Sequence, residues 1–258
     1  GTAVVNLDDP FGAYYRQAAP CRTIPYGKGA ACRAEDIRMT MQHTAFNLIT
    51  PWGEAPLRLP LLGMHNVSNA LCAAAAAGAA GASLQAIVSG LEGLPSVPGR
   101  FEAVGEGRAF QVVVDYAHTD DGLRNVLEAA RALCTGKVIT VFGCGGDRDK
   151  TKRPKMGKVA GAMSDFCILT SDNPRTEDPF RILLDAEVGL QQAGRRKGED
   201  YEVIEDRATA IETAIRRAAP GDLVLIAGKG HEDYQIIGTE KIHFDDREVA
   251  RDVLRRIG

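Results

Sequence analysis

The sequence predicts an α/β protein of two domains, the second an open, mostly parallel sheet covered by helices on both faces. Three observations predict it. Beyond residue 97, short β-branched apolar runs alternate with stretches of helical length and pattern. The loops that follow those runs are dense in charge, Gly and Asn, whereas the loops that precede them are plain. Finally, "LPSVPGR" has two prolines, a glycine and no apolar periodicity, and reads as an interdomain linker after a differently composed first part.

At 258 residues, 45% of them hydrophobic, the chain can bury a substantial core, and its length fits one large or two ordinary domains. The balance of 31 basic and 34 acidic residues gives a formal net charge of -3, and no basic block is long enough to track a phosphate backbone. A nucleic-acid partner is not expected. Cys21, Cys32, Cys72, Cys134, Cys144 and Cys167 form no C-x-x-C pair and have no His at zinc-ligand spacing, so a reduced, cytoplasmic setting without a metal site in this chain is expected. The longest apolar run, the alanines around Cys72, is too short to span a bilayer, so no membrane partner is expected. A monomer is expected. The chain opens on Gly1 with "GTAVVNLDD", already strand-like, and is expected to be part of something longer.

In residues 1–62, short apolar segments at 3–5, 46–49 and 57–62 are broken by Gly, Pro and charge, so short strands and loops are expected. "HNVSNALCAAAAAGAAG" starts with cap-type residues and continues in alanine, the best helix former, until Gly81 stops it. So small a surface lets a helix pack close to its neighbours. A second helix is expected from Ser83, an N-cap type, to about Leu91. After the linker, strands are expected at 111–114, 138–142, 166–169 and 223–227. The helices between them are "DDGLRNVLEAARALC", "KMGKVAGAMS", "PFRILLDAEVGLQQA" and "DRATAIETAIRRAA". This alternation is that of a Rossmann-like fold.

Ligands of open parallel sheets bind beyond the carboxyl ends of the strands, where loops converge and helix N-termini point their N–H groups. Those ends carry "DYAHTDD", "GCGGDRDKTKR", "TSDNPRTED" and "GKGHEDY", while two of the opposite ends read only "CTGK" and "APGD". One rim of the second domain should therefore bind something zwitterionic or polyanionic. Arg175 beside Asn173, on a loop stiffened by Pro174, suits a two-point grip on a carboxylate. Asp178 and Pro179 read as a helix N-cap with proline at the first helical position, which leaves Asp172, Asn173 and Arg175 unexplained.

Other features have two readings. Gly143, Gly145 and Gly146 lack G-x-G-x-x-G spacing and fit a tight turn as well as a phosphate loop. Arg148 and the basic run to Lys155 can be a solvated face. His118 and His231 lie next to acids and can shuttle protons or bond backbone carbonyls. Lys229, between two glycines, can meet a phosphate or a carboxylate. Asn66 and Asn69 share a helical face, and capping explains one of them at most.

Six blocks carry a resemblance: "GMHNVSNAL" (63–71), "GRFE" (99–102), "DYAHTDDGL" (115–123), "FGCGGDRDKTKRPKMG" (142–157), "SDNPRTEDP" (171–179) and "GKGHEDYQ" (228–235). In this order they resemble the Mur ligase family, the ATP-dependent amide ligases that build the peptide of bacterial peptidoglycan. The resemblance implies the later part of the central ATP-binding domain, of mixed strands and Ala-rich helices, at 1–96. It implies a Rossmann-like amino-acid-binding domain at 97–258. "DNPR" is similar to the recognition motif of members that add meso-diaminopimelate to the D-glutamate γ-carboxylate of UDP-N-acetylmuramoyl-L-alanyl-D-glutamate. Substrate-binding roles for Arg148, Asp172, Asn173, Pro174, Arg175, Gly228 and Glu232 follow from that likeness, the arginines on carboxylates and Glu232 on the distal ammonium. The same resemblance assigns ATP to Asn66 and Asn69 on its adenine side and to Arg100 and Asp115 on its ribose and phosphate side. Arg100, near the transferred phosphate, and His118, near the acyl substrate, are the implied catalytic residues. The implied reaction activates the carboxylate as an acyl phosphate, which the amine of diaminopimelate attacks.

The family's P-loop, G-x-x-x-x-G-K-S/T, does not occur in these residues. In relatives its Mg²⁺ ligands, a carbamoylated lysine and the UDP-binding domain lie upstream of the part that "AVVNLDDPFG" resembles. The expectation is a later portion of a ligase, inactive alone. ATP and Mg²⁺ would be cofactors of the whole enzyme, with small-molecule partners meso-diaminopimelate, ATP and UDP-N-acetylmuramoyl-L-alanyl-D-glutamate. Two alternatives stand beside it: another ligase of the superfamily, such as a folylpolyglutamate synthase, against which "DNPR" argues, and a non-catalytic Rossmann-like module binding an amino acid or nucleotide.

Overall fold

The computed structural model describes residues 1–94, 97–105 and 107–257. The chain falls into two compact units, Gly1–Ser96 and Val97–Gly258. Pro95 and Ser96 of the segment read as a linker lie outside the described residues.

In the first unit a short helix, α1 (Gly12–Ala18), joins two parallel strands, β1 (Thr2–Asn6) and β2 (Arg22–Tyr26). An antiparallel sheet follows, β3 (Arg33–Met39), β4 (Thr44–Thr50) and β5 (Gly53–Leu59), then helices α2 (Met64–Ala79) and α3 (Leu84–Glu92). β4 shows the two-residue period of a half-buried strand, Thr44, Phe46, Leu48 and Thr50 pointing inward. Phe46, Leu48, Leu57 and Leu59 close on Ala70, Ala74 and Ala75 of α2 and Ile87 and Leu91 of α3. The alanines do bring α2 close: Ala74 and Ala75 have no exposed surface.

Two readings of this unit need correction. The cap-type residues of "HNVSN" do not cap, because α2 already begins at Met64 after Gly63, with no side-chain cap, and Asn66 and Asn69 lie inside the helix. α1, β2 and β3 were also missed, for a physical reason visible in β3: "RAEDIRM" is dominated by charge and buries no residue fully. Ser83 does cap α3, accepting from the amide of Ala86.

The second unit runs β6 (Glu102–Ala103), β7 (Gln111–Asp115), α4 (Asp120–Leu133), β8 (Val138–Phe142), α5 (Lys152–Met163), β9 (Phe166–Leu169) and α6 (Pro179–Gln192). It continues through β10 (Tyr201–Val203), α7 (Arg207–Arg217), β11 (Leu223–Ala227), the hairpin β12 (Tyr234–Ile237) and β13 (Glu240–His243), and α8 (Asp246–Arg256). Six strands form one sheet in the order β10-β9-β8-β11-β7-β6, all parallel but β6. This is the mostly parallel α/β architecture that the alternation predicts. Every residue of β8, β9 and β11 is buried, as in strands covered on both faces. On one face α7 and α8 close over Val112, Val114, Ile139, Val141, Val224 and Ile226; α4, α5 and α6 pack on the other.

Four features were not read from the sequence. β6 and β10 are too short to show a period. The hairpin β12–β13 lies at the surface, with β13 exposed throughout. α8, "DREVARDVLRR", is mostly charged and buries only Asp246, Ala250, Val253 and Leu254. Among the described residues no helix is long and apolar enough to cross a membrane.

Candidate functional site

Because β9, β8, β11 and β7 are neighbours and parallel, the loops after them share one rim. Two of these loops clasp at Asn173, which is 3% exposed. Its Nδ2 donates to Glu232 Oε2 at 3.0 Å, and its Oδ1 accepts from Lys229 Nζ at 3.1 Å and from the amide of Ile236 at 2.9 Å. Asp172 stands beside them, its Oδ1 3.7 Å from Lys229 Nζ, and its backbone carbonyl accepts from Gln235 Nε2 at 2.7 Å. Gly228 has φ +124°, and a Cβ there would lie 2.7 Å from Asp172 Oδ2. Glycine is what this approach of two loops requires. Lys229 has no exposed surface; burial pushes its pKa down, against the upward pull of Asp172 and Glu232.

Arg175 is one of few non-glycine residues with a left-handed backbone, φ +53°. The hairpin holds it there: its amide donates to Ile236 O at 3.0 Å and its carbonyl accepts from the amide of Gly238 at 2.8 Å. Its guanidinium Nη1 donates to Gly146 O at 2.8 Å. A Cβ on Gly145 would meet Arg175 Nη1 at 3.1 Å and Cγ of the exposed Arg148 at 3.9 Å, so both arginine side chains pass beside this glycine. A Cβ on Gly146 would run into the carbonyl of Pro174, and one on Gly143 into that of Thr170. The glycines of "GCGG" thus let the loop after β8 lie against the "DNPR" backbone.

The basic run after Arg148 is more than a solvated face. Arg153 is 1% exposed and pairs with Glu177 at 2.8 Å and Asp185 at 2.9 Å. Lys150 reaches Glu177 at 3.1 Å, and Lys152 Nζ donates to the carbonyl of His118 at 2.8 Å. The hydrogen bond from Arg153, with that from the amide of Asp147, holds the Glu177 carboxyl down to about 2. The acids of "TSDNPRTEDPF" therefore have separate tasks: Asp172 faces Lys229, Glu177 faces Arg153, and Asp178 caps α6 by accepting from the amide of Phe180, with Pro179 opening the helix.

At the end of β7, Asp115 accepts from the amides of Ala117 and Phe101, both at 2.8 Å. Arg100 is exposed, its guanidinium 4.7 Å from the centre of the Tyr116 ring. The rings of His118 and His231 lie 4.7 and 5.1 Å from the same tyrosine. His118 Nδ1 is 2.9 Å from the carbonyl of Tyr116, which makes it the donor and leaves Nε2 as the basic nitrogen. In the first unit, Asn66 is buried and donates to Leu62 O at 2.8 Å, while Asn69 is exposed and donates to Asn66 Oδ1 at 3.3 Å.

Residues 99–230 match the Mur ligase glutamate ligase domain, and residues 1–77 match the Mur ligase middle domain. The chain belongs to the Mur ligase family. It is 50% identical over 251 residues to the UDP-N-acetylmuramoyl-L-alanyl-D-glutamate–2,6-diaminopimelate ligase of Bacillus licheniformis, covering 96% of this chain and 50% of that protein. It is 48% identical to the enzyme of the same name from Synechocystis sp., with 98% and 50% covered. The chain thus spans about half the length of the curated relatives it matches. A solved structure of a UDP-N-acetylmuramoyl-L-alanyl-D-glutamate–2,6-diaminopimelate ligase superposes with a TM-score of 0.66 at 37% identity, covering 99% of this chain and 53% of that one. At 23% identity, MurF from Acinetobacter baumannii shares the fold, with a TM-score of 0.68, covering 100% and 51%.

In this Mur ligase chain Arg148, Asp172, Asn173, Pro174, Arg175, Gly228 and Glu232 lie on one rim; Arg100 precedes β6, Asp115 ends β7 and His118 follows it in the same unit, whereas Asn66 and Asn69 belong to the other unit. Sequence reasoning missed Arg207 and Tyr116, took Arg153 only as part of a basic run, and offered Lys229 to a phosphate or a carboxylate where the structure encloses it among Asn173, Asp172 and Glu232. Arg207 has no exposed surface to speak of at 1%, yet nothing in "DRATAIETAIRRAA" distinguishes it from a solvated arginine. Among the described residues no group of three or more His, Cys, Asp or Glu could hold a metal ion.

Proposed function

We propose that this chain supplies the amino-acid site, and part of the nucleotide site, of an ATP-dependent ligase that adds meso-diaminopimelate to UDP-N-acetylmuramoyl-L-alanyl-D-glutamate. The observation that carries this reading is the presence of opposite charges on one rim: Glu232, held by Asn173 and Lys229, and the side chains of Arg175 and Arg148, both beside Gly145. Such a rim complements a ligand with carboxylate and ammonium groups at one end. The similarity to 2,6-diaminopimelate ligases supports the choice of ligand.

Arg175 and Arg148 take the carboxylate, Glu232 takes the ammonium, and Asp172, Pro174 and Gly228 keep the loops in register. Each unit by itself offers groups for a nucleotide: in the second, a carboxylate at Asp115 suits ribose hydroxyls and an exposed guanidinium at Arg100 suits phosphate, and in the first, an exposed amide at Asn69 beside Asn66 suits a purine edge. ATP would supply the phosphoryl group that activates the acceptor carboxylate, with Mg²⁺ as its usual counter-ion. Arg100, steadied over Tyr116, offsets phosphate charge, and His118 offers Nε2 to a proton at the acyl end of the site.

Calorimetry with meso-diaminopimelate and L-lysine tests the reading. Wild-type chain should prefer meso-diaminopimelate, and Arg175→Ala should lose the preference; an unchanged affinity in Arg175→Ala would sink the assignment.

A further inference from the structure

Lys229 is a buried ionisable group on the rim to which the proposed chemistry assigns no ligand. Its ammonium is enclosed by Asn173 Oδ1 at 3.1 Å, Glu232 Oε2 at 3.5 Å, Asp172 Oδ1 at 3.7 Å and, beneath, the Tyr234 ring at 5.6 Å. A lysine without exposed surface persists only where its charge and hydrogen bonds are met, and here two carboxylates share one ammonium. The other buried cation nearby, Arg207, is taken by Asp246.

The contacts also decide which way the Asn173 amide faces. Oδ1 is filled by Lys229 Nζ and the Ile236 amide, so Nδ2 must point to Glu232 and keeps one further N–H. Turned over, the amide would set Nδ2 against the ammonium and against a backbone N–H, two clashes of donors. Asn173 can then donate to a ligand carboxylate and cannot accept from a ligand ammonium. Glu232, with Oε2 occupied twice, is left to accept through Oε1.

We propose that Lys229 is a positioning residue for the amino-acid site: by donating to Asn173 and Glu232 it makes Asn173 a carboxylate donor and Glu232 the ammonium acceptor. This rests on the amino-acid reading of the rim given above. It explains why the lysine is enclosed and kept from the ligand. It also accounts for recognition of a zwitterion by polarity as well as by charge, since the site tells the carboxylate end from the ammonium end.

The test compares wild type, Lys229→Ala and Lys229→Met, the last keeping the packing without the charge, by calorimetry with meso-diaminopimelate and L-lysine. Taking from the Asn173 carbonyl one of its two donors, and from Glu232 its ammonium, should weaken meso-diaminopimelate binding at least about fivefold in both variants. In Lys229→Ala, added n-propylammonium, which replaces the missing atoms and charge, should restore binding, and 1-propanol should not. The side-chain amide signals of Asn173 in a ¹⁵N spectrum should shift in the variants and return with n-propylammonium. A wild-type chain that binds both amino acids alike overturns the substrate reading. A wild-type preference that survives in Lys229→Met, or rescue by 1-propanol as well, overturns the role given to Lys229.

Discussion

Arg207 and Asp246 meet in a two-pronged ion pair from which solvent is excluded, Nε to Oδ1 at 2.7 Å and Nη2 to Oδ2 at 2.8 Å. The same guanidinium donates to the carbonyls of Ser171 at 3.3 Å and Ala227 at 3.1 Å, where the two clasped loops begin. Removing one partner of such a pair strands the other charge, so Asp246→Ala should lose about 3–5 kcal/mol in urea unfolding. Replacing both, as Arg207→Met with Asp246→Leu, should lose clearly less. Equal losses for single and double variants would contradict a buried, mutually dependent pair.

Arg175 separates stability from recognition. A non-glycine residue at φ +53° carries a backbone cost of about 1–2 kcal/mol, which glycine relieves. Arg175→Gly gives up one hydrogen bond to Gly146 O, worth about 1 kcal/mol. The variant should unfold within about 1 kcal/mol of wild type while losing its preference for meso-diaminopimelate. Thermal unfolding and calorimetry on the same sample check both halves.

Glu177 makes stability depend on acid. Its carboxyl ionises at about 2 in the folded chain against an ordinary 4.5, so the folded state binds fewer protons than the unfolded one in that window. The contribution is complete above about 4.5 and is lost as pH falls through about 2. Glu177→Gln should therefore show a shallower fall in Tm between pH 4.5 and 2 than wild type. Parallel curves would show that Arg153 does not hold this carboxyl.

The thiols should sort by depth. Burial pushes Cys32 up to about 11 and Cys144 and Cys167 up to about 12, whereas Cys21 is exposed. A disulfide reagent at pH 8 should consume Cys21 first and reach those three only on unfolding. Early modification of Cys144, next to the rim, would mean that the loop after β8 opens in solution.

Strands buried on both faces announce themselves, because each must be apolar throughout: Val138–Phe142 and Leu223–Ala227 fall where the β-branched runs lie. Helices with one apolar face were legible nearly to their ends, although α5 begins at Lys152, inside the basic run and before the expected Lys155. α8 was hidden because its partners supply most of the burial that its own charged sequence does not suggest. The candidate site was legible as composition, loop by loop, but not as geometry. Whether Lys229 meets solvent depends on Asn173 and Asp172, more than 50 positions away, and no local pattern encodes that. The same holds for Asn66, whose amide is committed to Leu62 O by the way α2 starts.

β11 lies between β8 and β7, although it is made last of the sheet's strands. A nascent chain leaving the ribosome thus carries β7 and β8 with open, hydrogen-bonding edges until residue 227 has emerged. Asn173 must wait longer, for the amide of Ile236, before its side chain is held. Those edges invite pairing with other chains, so translation arrest just before residue 223 should yield a species that depends on chaperones, while arrest beyond the hairpin should not.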